Sequence, residues 1–335
     1  MVTKIFLTGA TGYIGGEALY SVLRAHPDFE FTLLVRNEEK AKLVSAQYPT
    51  VKFVYGNLDD SAVIEKAAAA ADIVIHTADS SDNVPSARAI AKGLAEGHTA
   101  SKPGYWIHVC GTGMLQWYDW DNNRYGQAPL PEQKYHDIDT VDRIISIPHH
   151  AYHRDCDEIV LAANEASGVR TLIVSPPTIY GPGRGPVNQR SIQVYNMTKF
   201  TLENGFAPIM AGGGSPEWDN VHIHDLGTFF VLAVDAALDP VKQNNPEIFG
   251  PRAYFFLENG THTWREVAEW VAEEAKKQGY LPEAKTQEGD FKSYGANSKG
   301  VAVRAKKYLG WEPHGDTLKN EIPAIVADEA KRLGK

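Results

Sequence analysis

The sequence predicts an α/β fold: a doubly wound parallel sheet followed by a smaller C-terminal α/β region. Three observations support this prediction. Strand-like and helix-like segments alternate through the first half of the chain, the strand-like segments are almost continuous apolar runs, and a glycine-rich turn follows the first of them. Continuous apolar runs are typical of parallel strands that are covered on both faces. Repeated strand–helix–strand units are how a doubly wound sheet is built.

The elements of the first half follow each other with short connections. Strands are predicted over residues 4–10, 29–36, 51–57, 72–78, 105–111 and 170–176, where β-branched and aromatic residues concentrate. Helices are predicted over residues 15–27, 37–48, 61–71, 86–100 and 150–167. Pro27 ends the first of these helices and Gly168 follows the last, as expected for helix stop signals.

The second half of the chain is less regular. Helices are predicted over 191–205, 225–238, 264–278 and 317–332, and Thr263 with Glu266 matches a capping box at the third of them. We therefore assign residues 1–180 to the sheet domain and 181–335 mainly to a substrate-binding region. The helix at 225–240 is expected to return to the sheet domain.

Residues 112–148 form a long, aromatic and proline-punctuated excursion between two predicted elements. Long segments of this kind in compact domains usually serve as lids or pocket walls. The aromatic residues Trp117, Tyr118 and Trp120, together with the later Trp218, favour a small-molecule substrate of moderately apolar and even aromatic character.

Composition excludes several classes of function. The net charge of -9 argues against a nucleic-acid backbone or an anionic membrane as the main partner. Only two cysteines are present, so neither a disulfide framework nor a four-cysteine zinc site is expected. The first residues lack the pattern of a signal peptide and no apolar run reaches membrane-spanning length. These features predict a cytoplasmic protein.

The segment "TGATGYIGG" follows the first predicted strand and opens the first helix. Gly9, Gly12 and Gly15 permit a tight turn, a close approach of a pyrophosphate and close packing of helix on strand. The N–H groups at the start of the helix then face the negative charge. The pattern predicts a Rossmann dinucleotide site, with contacts from Gly9, Thr11, Gly12, Tyr13, Ile14 and Gly15.

The end of the second strand indicates which dinucleotide is bound. Sites for NAD usually carry an acidic residue there, to hold the ribose 2′-hydroxyl. This strand ends with Arg36 instead, and Lys40 follows one helical turn later. A guanidinium pairs well with a 2′-phosphate, so the sequence predicts NADP (NADPH) as the cofactor.

Several segments together resemble the extended short-chain dehydrogenase/reductase superfamily, whose members include NAD-dependent epimerases and dehydratases. They are "TGATGYIG", "YGNLDD", "DIVIHTA", "PPTIYGPG", "VHIHDLG" and "YLGWEP", in family order over nearly the whole chain. The resemblance implies that Asn57 and Leu58 flank the adenine, although the family usually has Asp at the position of Asn57. It also implies a homodimer as the default assembly. Further implied positions are Ala78 beside the ribose, Pro176, Pro177 and Thr178 beside the nicotinamide, and Asn188, Arg190, Trp218 and His222 on the substrate side.

The resemblance carries over only partly to the catalytic positions. Reductases of this family use a Ser or Thr, a Tyr and a Lys, and Thr112 matches the first of them. The Tyr-x-x-x-Lys pair is not preserved in "HHAYHRDCDEIV". One register places Tyr152 on the tyrosine and Cys156 on the lysine. The other places His149 on the tyrosine and His153 on the lysine, and both pairs have the i, i+4 spacing of one helical face.

These residues favour reduction over oxidation. A phenol without an adjacent lysine is protonated at neutral pH, so it donates a proton well and accepts one poorly. A histidine serves in either direction. We therefore predict an NADP-dependent reductase of a small carbonyl or related unsaturated compound, with Thr112, Tyr152, His149 and His153 as candidate catalytic residues.

The sequence is also compatible with two other functions. An NADP-sensing protein without turnover and a non-redox, epimerase- or dehydratase-like enzyme are the alternatives. No metal site is predicted, because His149, His153 and Asp157 would need a further ligand from elsewhere. Cys156 is not predicted to be a nucleophile, since its acidic neighbours disfavour a thiolate.

Overall fold

The computed structural model describes residues 2–335, and its centre is a seven-stranded parallel sheet. Every strand pair in this sheet is parallel. The order across the sheet is β11-β7-β5-β4-β1-β2-β3, which is that of a Rossmann fold. The strands are β1 (Lys4–Thr8), β2 (Glu30–Val35), β3 (Lys52–Tyr55), β4 (Ile73–His76), β5 (Gly104–Val109), β7 (Val169–Ser175) and β11 (Tyr254–Phe256).

Helices cover both faces of this sheet, which explains why its strands are apolar on both sides. On one face α1 packs against α9, and on the other α4 packs against α3 and α7. Two separate clusters of buried apolar side chains lie under these two helix layers. The helices are α1 (Tyr13–Ala25), α2 (Glu38–Ser45), α3 (Ser61–Ala70), α4 (Val84–Gly97), α7 (Arg154–Ala162) and α9 (Ile223–Leu238).

Most of the remaining elements form the smaller region beside the carboxyl ends of the sheet strands. A third apolar cluster holds this region together. Its strands and the short ones tied to it are β6 (Lys134–His136), β8 (Thr178–Tyr180), β9 (Ala207–Met210), β10 (Glu217–His222), β12 (Thr261–Thr263), β13 (Thr286–Gly289) and β14 (Lys299–Val301). Its helices are α8 (Gln193–Asn204), α10 (Trp264–Lys277) and α11 (Leu318–Arg332). The short helices α5 (Trp117–Asp121) and α6 (Val141–Ile145) pack instead against the apolar cluster under α3, α4 and α7.

Two predicted details can be compared directly with these elements. Thr263 caps α10 as the sequence suggested, because its hydroxyl accepts from the Glu266 N–H while the Glu266 carboxylate accepts from the Thr263 N–H. The helix predicted from residue 150 was too long at its start, since α7 begins only at Arg154. The edge strand β11 was not predicted; it has only three residues.

The segment 112–148 is fixed to the rest of the fold by buried carboxylates. Asp119 is fully buried in it and accepts hydrogen bonds of 2.7 Å from both the backbone and the side chain of Asn297. Asp137, also buried, accepts from the backbone N–H groups of Phe256 and Arg304 at 3.2 and 3.0 Å. Buried carboxylates that receive several hydrogen bonds fix a loop firmly. Within residues 2–335, no helix combines the length and the apolar character that crossing a membrane requires.

Candidate functional site

The glycine turn between β1 and α1 has the shape that the sequence predicted. Gly9 has φ +85°, and the Gly12 N–H donates to the Gly9 carbonyl at 2.8 Å. A Cβ atom on Gly15 would lie 2.2 Å from that same carbonyl oxygen. Only glycine therefore allows the helix to begin this close to the strand. The N–H groups of the first turn of α1 have no acceptor inside the helix and are placed to bind an anion.

This turn forms one end of a cleft of about 810 Å³. The predicted cofactor-binding residues that line it are Gly9, Thr11, Gly12, Tyr13, Ile14, Gly15, Arg36, Asn57, Leu58 and Ala78. Pro176 and Thr178 do not reach the cleft surface, and their neighbours Pro177 and Ile179 line it instead. Strand β8 begins at Thr178, so side chains alternate there and the Thr178 side chain is buried.

Arg36 and Lys40 occupy the end of the cleft beside β2. Both line it, and neither side chain forms an ion pair within the described part of the chain. Asn37, between them, caps α2 by accepting from the Lys40 N–H at 3.0 Å. Asp59 also lines this end, but it follows β3 rather than β2. Two unpaired cations thus lie where the adenosine ribose of a Rossmann cofactor is bound.

Thr112 begins a short 3₁₀ turn directly after β5 and is not among the residues that line the cleft. It is 3% exposed; its N–H donates to the Pro176 carbonyl at 3.3 Å, and its carbonyl accepts from the Ser298 hydroxyl at 2.8 Å. Its own hydroxyl has no hydrogen-bond partner anywhere in residues 2–335. A buried hydroxyl without a partner is unusual and requires an explanation.

The segment before α7 carries residues from both alignments of the Tyr-x-x-x-Lys pair. Residues 149–153 form turns rather than the first turn of a helix, and His153 lies at the N-cap with φ +71°. Histidine is one of the residue types found in this left-handed region more often than most. Because these residues are not helical, the i, i+4 argument that linked 149 to 153 and 152 to 156 does not apply.

His153 lies against the loop that carries Thr112. Its Nδ1 donates to the Asp82 carboxylate at 2.8 Å, because a carboxylate can only accept. Its Nε2 faces the loop, where a Cβ atom on Gly113 would lie 2.9 Å away. The hydrogen bond from His153 lowers the pKa of Asp82. The imidazole is thus held in one tautomer and one orientation beside the end of β5.

Tyr152 lies next to this imidazole, with ring centroids 5.8 Å apart. Its ring is 55% exposed and meets the Trp120 ring edge-on at 4.2 Å. The other two residues of these alignments, His149 and Cys156, lie away from this imidazole. His149 is on the surface, paired with Glu158 at 2.8 Å and 73% exposed. Cys156 is fully buried in the core, where burial and nearby carboxylates raise its thiol pKa to about 12.

A second cavity of about 660 Å³ adjoins the cofactor cleft. Ile192 and Gln193, before and at the start of α8, line both spaces. The aromatic residues that line the second cavity are Trp120, Tyr125, Tyr152, Trp218 and Tyr294. Among the residues expected on the substrate side, Trp218 lies here and Asn188 lines the cofactor cleft.

The other two residues expected on the substrate side have structural contacts. Arg190 pairs with the buried Glu329 at 2.6 Å. His222 is 3% exposed, and burial lowers its pKa to about 4. In the predicted aromatic segment, Trp117 likewise points inward and donates to the Tyr135 hydroxyl at 3.1 Å, so only Trp120 of that group reaches the cavity.

A buried polar network joins β7, β11 and α7. The Tyr254 hydroxyl donates to Asp157 at 2.8 Å and accepts from the Ser175 hydroxyl at 2.8 Å. Burial raises the pKa of Asp157. The network ties α7 to the carboxyl end of β7, next to Pro176 and Thr112. No sequence pattern predicts this network, because its three residues come from separate segments.

Asp82 and Lys292 are two further residues near the site that the sequence did not predict. Asp82 follows β4 in "DSSDN", so a polar group after a parallel strand was the available signal. Lys292 lines the second cavity from a turn far along the chain, and nothing in its neighbourhood in the sequence points to a site.

Known proteins resemble this chain over most of its length. Residues 9–121 match the family described as NAD(P)H-binding, and residues 138–247 match the NAD dependent epimerase/dehydratase family. Oxidase ucsJ from an Acremonium species is 36% identical over 356 aligned residues, which cover 100% of this chain and 99% of that protein.

Solved structures share the fold at low sequence identity. The dTDP-glucose 4,6-dehydratase of Bacillus anthracis, in complex with NAD, has a TM-score of 0.67 at 14% identity, covering 99% of this chain and 97% of its own. The UDP-glucose 4-epimerase of Thermotoga maritima, with UDP-glucose, has a TM-score of 0.65 at 16% identity, covering 99% and 100%. At these identities the likeness establishes the fold alone.

Proposed function

The chain belongs to the extended short-chain dehydrogenase/reductase superfamily, which includes the NAD-dependent epimerases and dehydratases, and on that premise we propose that it is an NADP(H)-dependent reductase of a small carbonyl or related unsaturated compound. The observation that carries the proposal is the imidazole of His153. It bonds Asp82 and lies against Gly111 and Gly113, on either side of Thr112, whose hydroxyl has no partner in the described residues.

The preference for NADP follows from the charges at the β2 end of the cleft. Arg36 and Lys40 both line it, and no acidic residue follows β2 directly. A 2′-phosphate would pair with these cations, whereas a 2′-hydroxyl would leave both without a partner. Hydrogen bonds to charged groups contribute about 1.5–3 kcal/mol each, so this difference is large enough to set the preference.

Replacing Arg36 with serine is expected to lower the affinity for NADPH by about 10–100-fold and to leave NADH affinity within about 2-fold. The reason is that only NADPH carries the phosphate that Arg36 would bind. Titration of each cofactor by its fluorescence measures both constants. Arg88→Ser, an exposed arginine on α4 outside the cleft, is the matched control. Equal affinities of the unmodified protein for NADPH and NADH would contradict the proposal.

The residues near Thr112 can perform the proton half of a reduction. Bound NADPH would supply the hydride to the substrate carbon, and the chain must then deliver a proton to the oxygen. Tyr152 lines the second cavity, and its ring lies 5.8 Å from that of His153, which faces the loop that carries Thr112. These two side chains are the candidate proton donors. The Thr112 hydroxyl has room for one further hydrogen bond, which the reacting oxygen would accept.

The absence of a lysine beside Tyr152 favours one direction of the reaction. No lysine lies within α7 or in the turns before it, so the permanent cation that usually stabilises the tyrosinate of alcohol oxidation is absent there. The relative named as an oxidase supports redox chemistry over epimerase-type chemistry. Reduction, with a neutral phenol or an imidazolium as the acid, is the direction that these side chains serve best.

Consumption of NADPH with a panel of aldehydes, ketones and imines tests this proposal. We expect turnover with at least one class of carbonyl compound, and none in the absence of substrate. Tight NADPH binding without turnover on the whole panel would instead favour a nucleotide-sensing role, for which the altered Tyr/Lys pair would be the structural reason.

A further inference from the structure

The second cavity has one charged lining residue in an otherwise neutral and aromatic wall. Lys292 is that residue, and the neutral polar groups beside it are Gln116, Gln193, Asn196 and Ser293. Its volume of about 660 Å³ is within the range of small-molecule sites. The occupant must therefore match one positive charge and several aromatic faces.

The Lys292 ammonium group is available to a ligand. Its nearest carboxylate, on Asp290, is 4.0 Å away, and the two side chains are 63% and 71% exposed. Such an exposed pair contributes almost no stability. The ammonium also lies 5.5 Å from the centre of the Tyr125 ring, a second residue of the cavity wall. That contact holds the cation over the cavity without neutralising it.

The aromatic walls favour a flat apolar body. Tyr152 and Trp120 meet edge-on at 4.2 Å, which leaves ring surface facing the cavity. The indole N–H of Trp218 donates to the Ala296 carbonyl at 2.7 Å, and this hydrogen bond fixes the orientation of the ring. Anchored rings offer contact area at little cost in conformational entropy, and they stack well on planar groups.

We propose that the substrate is an aromatic or similarly flat monocarboxylate, whose carboxylate pairs with Lys292 and whose reducible group lies toward Ile192 and Gln193. This inference rests on the proposed function, because those two residues mark where the cavity meets the cofactor cleft. A nucleoside diphosphate does not fit this charge pattern. Its two or more negative charges would meet a single lysine and no arginine among the lining residues.

Binding of two matched probes tests the proposal. The probes are 4-acetylbenzoate and its neutral counterpart 4-acetylbenzamide, titrated calorimetrically into the full chain without cofactor and again with NADP⁺. We expect the acid to bind about 3–5-fold more tightly than the amide. Lys292→Met should make the two affinities equal by weakening the acid alone. Lys319→Met is the control, since that exposed lysine lies 5.4 Å over the Trp270 ring, outside the cavity.

Four results would overturn the proposal. They are equal affinities for acid and amide in the unmodified protein, an acid preference that survives in Lys292→Met, absence of saturable binding of the acid, and tighter binding of UDP-glucose than of 4-acetylbenzoate. Because the readout is a dissociation constant, acid-selective binding without NADPH consumption would leave this inference standing while removing the proposed reductase activity.

Discussion

Replacing His153 with alanine is expected to lower kcat for carbonyl reduction by about 10²–10⁴-fold, the usual contribution of a positioned general acid. The affinity for NADPH should change little, because His153 does not line the main cofactor cleft. Its Nδ1 is occupied by Asp82 and its Nε2 faces the loop of Thr112. Steady-state kinetics together with an NADPH titration measure the two effects separately.

Three variants separate this role from the alternatives. His149→Ala should retain kcat, since that imidazole is 73% exposed and paired with Glu158. Tyr152→Phe keeps the ring that packs on Trp120 and removes only the hydroxyl, so a loss as large as that of His153→Ala would assign the proton to tyrosine. Asp82→Asn should shift the pH profile of kcat, because the amide no longer fixes the tautomer of His153. Full activity in both His153→Ala and Tyr152→Phe would exclude proton donation by this segment.

Acidification from pH 7 to pH 5 is expected to cost about 4 kcal/mol of the free energy of unfolding through His76 and His262 alone. Burial lowers the pKa of each imidazole to about 3. In the unfolded chain a histidine titrates near pH 6.5. The unfolded state therefore binds more protons below that pH. The stability is fully present above about pH 6.5 and is lost as the pH falls toward 3, at about 1.4 kcal/mol per unit for each histidine.

The surroundings of His76 explain why it stays neutral. It lies on β4 opposite His108 of β5, with ring centroids 5.2 Å apart, and burial together with His76 lowers the pKa of His108 as well. The Ser86 hydroxyl is its hydrogen-bond partner, at 3.2 Å from Nε2. Buried acids such as Asp157 and Asp137, whose pKa values are raised by burial, act in the opposite direction. The histidine contribution must therefore be isolated by substitution.

His76→Gln keeps an amide near the Nε2 position and cannot be protonated. Urea titrations at pH 7 and pH 5 should show that this variant loses about 2 kcal/mol less than the unmodified protein over that interval. The exposed His149→Gln is the control and should lose as much as the unmodified protein. The same pH dependence in all three proteins would show that His76 does not stay neutral in the fold.

The sequence predicted those features that depend on interactions between neighbouring residues. The glycine turn works through the backbone of seven consecutive residues, Gly9 to Gly15, so its shape and its place between β1 and α1 were readable directly. Arg36 follows from the same unit, because the end of β2 is fixed relative to that turn by the parallel pairing of β1 and β2. The capping box at Thr263 is also local, and it was found for that reason.

The segment before α7 was harder to interpret because its conformation is set by distant contacts. A helix over 150–167 was the expectation from periodicity, and it made residues four apart appear to share a face. In the fold, His153 adopts φ +71° and bonds Asp82, 71 positions earlier in the chain. This contact and the left-handed turn bring neighbours Tyr152 and His153 to the site, while His149 points to solvent and Cys156 enters the core.

By itself the sequence determined that this chain folds into a Rossmann sheet with a dinucleotide site, because turns, caps and apolar periodicity are properties of short stretches. The tertiary structure alone decided which side chains surround the second cavity, since Trp120, Tyr152, Trp218 and Lys292 come from four segments that only folding brings together. It also decided that Tyr152 and His153 lie beside each other, with His153 against the loop that carries Thr112, rather than either i, i+4 pair sharing a helical face. The physical reason is that a single left-handed residue and one long-range hydrogen bond to Asp82 override the local preference for a helix.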